Sequence, residues 1–122
     1  MRQLLAVSAV AELGAGLALL TFPAATAELL IGAALQGPAA LTVARVAGGG
    51  LLALGLACWL ARGDAKGGAA RGLVAAMLLY DVLAAAILAF AAVGFGLHGV
   101  ALWPAVVLHA AMAAWCVAVL VR

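Results

Sequence analysis

A chain of 122 residues that is 70% apolar and only 8% charged has almost no material for a water-facing surface, and most of it belongs in lipid. Its formal net charge of +2 rests on a few cations whose positions membrane topology explains, so nucleic acid is not an expected partner. The length suits a single membrane domain over residues 1–122 and leaves almost nothing for a soluble module.

A spanning helix needs about 20 predominantly apolar residues, and residues 4–22, 38–60, 72–94 and 101–121 supply four such stretches. The first follows Arg2 and ends at Pro23, whose ring removes a backbone donor. A cleaved signal peptide is the competing reading, but the stretch is longer than a typical signal core and carries Glu12 at its centre. Residues 24–36 are too short and too polar to cross again, because Thr26 and Glu28 interrupt the apolar run. They are predicted to form a short helix lying in the outer interface or folded over the bundle mouth, a plain loop being the alternative. The second span opens on Pro38, a residue favoured in a first helical turn, and contains Gly48-Gly49-Gly50 and Gly55. These glycines allow close helix approach; a locally loosened helix exposing its carbonyls is the other reading. Residues 62–71 are rich in glycine, alanine and charge, and are expected to form a mobile loop. The third span holds Ala84-Ala85-Ala86 and ends at Gly94-Phe95-Gly96, and the fourth has Pro104 in its first turn, where proline is tolerated. Phe95 and Trp103 suit one interface and Trp59 the other, while Trp115 fits either an anchor or a core position.

Arg2, Arg62, Lys66, Arg71 and Arg122 all fall on the same side of a four-span topology, with only Glu28 and His98 opposite. The positive-inside rule then places both termini in the cytoplasm of a bacterial-type inner membrane. Cys58 and Cys116 sit toward the cytoplasmic ends of their spans and are read as inert buried thiols, since disulfides are rare in that compartment. No spacing characteristic of a metal site occurs.

Each span carries one ionisable side chain deep inside it: Glu12, Arg45, Asp81 and His109. A charge at the centre of a spanning helix costs about 2.5–3.5 kcal/mol on insertion scales, so these four mark the place where a function would sit. At a rise of about 1.5 Å per residue, Glu12 and Asp81 reach the midplane from one side, and His109 reaches it from the other. Arg45 lies about 10 Å from the outer end of its span; it is expected to come down to Glu12 or Asp81, snorkelling outward being the alternative. Two carboxylates at one depth would share a proton, which His109 could exchange. Ser8 and Gly16 flank Glu12 by one turn on either side and make a plausible cavity wall, although Ser8 can also bond its own helix backbone. Tyr80 neighbours Asp81 but points about 100° away around the helix. His98 and His109 stand about 16 Å apart along the axis, too far to clamp one haem, and no cofactor is expected.

The run from Ala44-Arg45-Val46-Ala47 through Gly48-Gly49-Gly50-Leu51-Leu52-Ala53-Leu54-Gly55 resembles the second span of the DoxX-like four-helix membrane proteins. The Phe22-Pro23-Ala24 exit and the position of Asp81 are also similar. That resemblance implies a fold and, for some members, an accessory role beside quinone-linked oxidoreductases; it implies no catalytic residue. Ala11-Glu12 in mid-span also resembles the small multidrug resistance transporters, where the glutamate is the proton and cation site. Arg45, the missing Pro-Thr-Gly stretch and the insert after Pro23 depart from that family.

The expected protein is therefore an all-α, four-transmembrane-helix bundle with a short interfacial helix between spans one and two. It would be non-enzymatic, holding a small amphipathic or quinone-like hydrophobic ligand near Glu12, Arg45, Asp81, His109, Ser8 and Tyr80, or serving as an accessory subunit. A homodimer through the glycine-rich faces or a larger membrane complex is the expected assembly. An acid/base enzyme such as an isomerase, using Asp81 or Glu12 with His109, and a proton-coupled exporter are the alternatives.

Overall fold

The computed structural model describes residues 1–64 and 67–122. Five α-helices follow in order: α1 Arg2–Thr21, α2 Pro23–Ile31, α3 Gly37–Ala61, α4 Gly68–Phe95 and α5 Leu102–Leu120. Four of them, α1, α3, α4 and α5, are long and apolar enough to cross a membrane. Large apolar side chains are exposed around the outside of the bundle, among them Val10, Val46, Ile87 and Val93 at 65–79% of their full surface. A surface of that kind is stable against hydrocarbon and not against water, and the chain is a multi-pass all-α membrane protein.

Pro23 both ends α1 and begins α2. It cannot continue the hydrogen-bond ladder of α1, yet it occupies the first turn of α2, where no donor is required. Helix α2 is shorter than the predicted segment because Gly32 closes it in a left-handed conformation, φ +72°. A side chain there would strike the His98 carbonyl, 2.9 Å away. The Ala101 amide donates to the Leu29 carbonyl at 2.9 Å, so α2 is fastened to the connection between α4 and α5. This rules out a loose surface loop and places α2 across one end of the bundle, one of the two helical arrangements expected. Helix α4 starts at Gly68, four residues ahead of the predicted span, so Arg71 is helical; its guanidinium donates to the Leu120 carbonyl at 2.8 Å and closes the end of α5. Arg62–Asp64 form a 3-10 turn. The expectation of a mobile loop over residues 62–71 rests partly on Ala65 and Lys66, which lie outside the described residues.

The bundle consists of two antiparallel pairs, α1 with α3 and α4 with α5. In the first pair the backbones meet at glycine. A Cβ on Gly16 would lie 2.7 Å from the Gly48 carbonyl oxygen, and one on Gly48 would lie 2.8 Å from that of Gly16. Gly55 approaches the backbone of Leu13 in the same way. Lipid offers no hydrophobic drive between helices, so close backbone packing of this kind is what associates them. Only the first glycine of the Gly48-Gly49-Gly50 triplet does this; Gly49 and Gly50 face open space, and α3 stays helical throughout. The main packed cluster lies in the half nearest the termini, where Leu4, Leu5, Val74, Met77, Met112 and the free thiols Cys58 and Cys116 are buried together; Ala27 and Leu102 are buried apart from it, toward the other end. Trp115 is exposed, which excludes the core position considered for it.

Gly48→Ala is expected to destabilise the fold by about 1–3 kcal/mol, because the atoms it strikes are backbone and cannot yield. Gly49→Ala should stay within about 0.5 kcal/mol of the parent. Equilibrium unfolding in mixed detergent–SDS micelles, followed by circular dichroism, compares the two.

Candidate functional site

The side chains of Leu4, Leu5, Met77 and Met112 fill the terminus-bearing half, whereas the opposite half carries Ala15, Ala84 and Ala105 at facing positions. Small residues there leave a cavity of about 490 Å³ between the two helix pairs, beneath α2. Leu19, Leu30, Leu51 and Leu88 contribute most of its apolar wall. Leu29, Ile87 and Leu108 also line it while remaining 48–65% exposed on the bundle exterior. Its mouth thus opens sideways, on the surface that faces lipid.

The polar residues lie at the floor of this cavity, where the packed half begins. His109 Nδ1–H donates to Asp81 Oδ1 at 2.9 Å, joining α5 to α4. Asp81 is 1% exposed and Glu12 4%. The His109 side chain keeps 17% of its surface because one edge of the ring borders the cavity. Tyr80 stands edge-on to the imidazole, with ring centroids 5.5 Å apart and planes at 85°. Although Tyr80 and Asp81 leave α4 in different directions, both therefore meet His109: Asp81 behind the ring and Tyr80 beside it. Asp81 Oδ2 and the Ser8 hydroxyl are buried and have no hydrogen-bond partner.

Of the six sequence candidates, Tyr80 and His109 line the cavity and Asp81 bonds His109 from behind it; Ser8 and Glu12 are buried, but neither they nor Gly16, which packs on Gly48, line it, so the cavity wall expected of that stripe is not formed. Ser8 does not bond its own helix backbone, the alternative considered for it. Arg45 stands apart. It is exposed on the side of α3, and the pairing expected with Glu12 or Asp81 is not made; among the described residues His109–Asp81 is the one contact within 4 Å between a basic and an acidic side chain. The helix register explains this. Gly16 lies opposite Gly48, so Arg45 stands about 10 Å beyond Glu12 along the bundle, and the buried stripe of α3 runs through Gly48, Gly55 and Cys58 instead. Sequence reasoning missed the cavity walls. Part of their signal was present in α4, whose second half carries Ala84, Ala85, Ala86, Ala89, Ala91 and Ala92, but an alanine in a spanning helix reads equally well as lipid-facing filler.

His98 is remote from this region and bonds the Gly96 carbonyl through Nδ1 at 2.9 Å. Among the described residues no cluster of three or more His, Cys, Asp or Glu side chains has the arrangement of a metal site.

Comparison with known proteins leaves the chain without a match among protein families, curated sequences or solved structures.

Replacing Asp81 tests how the pair holds the site. Asp81→Ala strands the imidazole donor and is expected to cost about 1–3 kcal/mol, while Asp81→Asn keeps an acceptor and should cost less. Thermal unfolding of both variants in detergent gives the order, and equal losses would show that the hydrogen bond contributes nothing specific.

Proposed function

We propose that the chain is a small inner-membrane protein that holds a small amphipathic or quinone-like molecule in the cavity between its helix pairs, without transforming it. The observation that carries this reading is the meeting of an apolar chamber of about 490 Å³ with a polar floor at Tyr80 and His109. Ligand sites are characteristically concave and mostly apolar, with a few convergent polar groups that fix orientation. A helix lock alone would need the Asp81–His109 contact but not the space above it. In an accessory subunit of the DoxX type, the same chamber would present its occupant to a partner complex. The packed half beneath the floor weighs against an exporter, since it leaves Glu12 no aqueous path toward the termini.

A second reading, acid/base catalysis on a lipid-soluble substrate, draws on one specific feature. A carboxylate that orients an imidazole facing a cavity is the arrangement of a general base. It would use His109 as the base and Asp81 as the group that positions it.

Arg2, Arg62, Arg71 and Arg122 flank the terminus-bearing end of the bundle, which supports a cytoplasmic location for both termini. In right-side-out vesicles, a membrane-impermeant maleimide is expected to label an Ala33→Cys variant and to spare Gly63→Cys; the reverse pattern inverts the topology.

Ala105→Phe would fill the cavity from α5 without touching the Asp81–His109 pair. Protein extracted in native-lipid nanodiscs is expected to carry a small molecule visible by native mass spectrometry, with occupancy reduced about tenfold in Ala105→Phe, equivalent to about 1.4 kcal/mol. Unchanged occupancy in that variant, or a parent protein with nothing bound, would rule the chamber out as the binding site.

A further inference from the structure

The hydrogen bond between His109 and Asp81 constrains what the chamber can hold. His109 Nδ1 lies 2.9 Å from Asp81 Oδ1; against a carboxylate, which only accepts, Nδ1–H must donate, and a neutral imidazole then presents a lone pair at Nε2. Nε2 has no hydrogen-bond partner among the described residues, and His109 lines the cavity whereas Asp81 does not. The free acceptor therefore faces the chamber and the carboxylate stays behind it.

Three polar side chains line the chamber: Thr26, Tyr80 and His109. The Thr26 hydroxyl donates to the Phe22 carbonyl of its own helix at 2.8 Å. The Tyr80 hydroxyl makes no hydrogen bond among the described residues and, like any hydroxyl, can donate or accept. Nε2 of a neutral imidazole can only accept, so it is the side-chain group that selects a donor. No carboxylate lines the walls, so a cationic donor would be buried in apolar surroundings without a counter-ion. The lateral mouth at Leu29, Ile87 and Leu108 lies where acyl chains would be, so the occupant can arrive from the bilayer itself.

We infer that the chamber takes a neutral, membrane-soluble alcohol or phenol, whose hydroxyl donates to His109 Nε2 and whose apolar tail runs toward the lateral mouth. The inference rests on the proposed ligand-holding role and adds the chemistry of the headgroup. Asp81 acts as a positioning residue: by accepting from Nδ1–H it keeps Nε2 an acceptor.

The test offers a matched pair to the protein in nanodiscs, 4-nonylphenol and its methyl ether 4-nonylanisole, as an equimolar mixture. The bound fraction is recovered and quantified by mass spectrometry. The two molecules are similar in size and tail and differ in whether the head can donate. The parent protein is expected to hold the phenol about tenfold over the ether, equivalent to about 1.4 kcal/mol. His109→Leu should still bind both but lose the preference. Asp81→Asn should weaken it, because an amide can also donate to Nδ1 and turn Nε2 into a donor. If His109→Leu does not fold, the parent's preference is paired with ¹⁵N spectra of His109, in which the phenol but not the ether should shift the Nε2 resonance. Equal binding of the two probes by the parent overturns the donor-headgroup inference and leaves the chamber standing. A preference that survives in His109→Leu overturns it too, since the hydroxyl is then recognised elsewhere. If neither probe binds, the ligand-holding role itself fails and the inference goes with it.

Discussion

A carboxylate in the middle of an apolar helix must find a donor, and Asp81 finds one on the neighbouring helix. The bond it accepts from His109 gives one oxygen of the costliest group in α4 a partner, Oδ2 remaining unpartnered, and ties α4 to α5 at mid-depth. The same bond assigns the two imidazole nitrogens different tasks. Nδ1 faces back into the bundle, and the remaining edge of the ring becomes the floor of the cavity. Tyr80 adds an edge-on ring that restrains the imidazole from the side. Without this contact the alanines of the outer halves of α4 and α5 would enclose only an apolar gap.

The other helix pair is held by a different principle. Gly16 and Gly48 remove side chains at one crossing point so that the backbones of α1 and α3 can touch, and van der Waals contact substitutes for the hydrophobic drive that lipid does not provide. The two pairs meet tightly near the termini, around Leu5, Met77 and Cys116, and part toward the other end, where α2 crosses over the gap. Packing is therefore asymmetric along the bundle axis. Close packing resists deformation, so the half near the termini serves as a rigid base on which the polar floor rests. The outer half offers space and a route to the bilayer. Helix α2 is part of this design, since its tether to the α4–α5 connection through Leu29 and Ala101 bounds the chamber from above.

Much of this architecture was legible from residue order. Long apolar runs and the helix-ending Pro23 led to four spans and a short extra helix, and the helices run within a few residues of those limits except at the end of α2 and the start of α4. The isolated ionisable residues also pointed to a place where helices meet through polar side chains, as Asp81 and His109 do, because a charge in hydrocarbon costs enough to be kept only beside a partner or for a purpose. Depth arithmetic brought Glu12, Asp81 and His109 to one level. It set Arg45 off that level; what failed was the expectation, argued from the cost of an unpaired guanidinium in hydrocarbon, that its stem would reach Glu12 or Asp81, a distance that depends on where α1 crosses α3. Rise per residue says nothing about crossing points; the glycine contact sets them.

The cavity and the direction of the imidazole emerged only from packing. A spanning alanine can face lipid, a neighbouring helix or empty space, and one-dimensional periodicity does not separate these when every side of the helix is apolar. Which nitrogen of His109 is occupied depends on a contact between residues 28 positions apart. Periodicity and composition specify each helix by itself, because its backbone hydrogen bonds are local and its solvent is lipid. The chamber is a property of the space between helices, and that space is defined by long-range contacts made after each helix has formed.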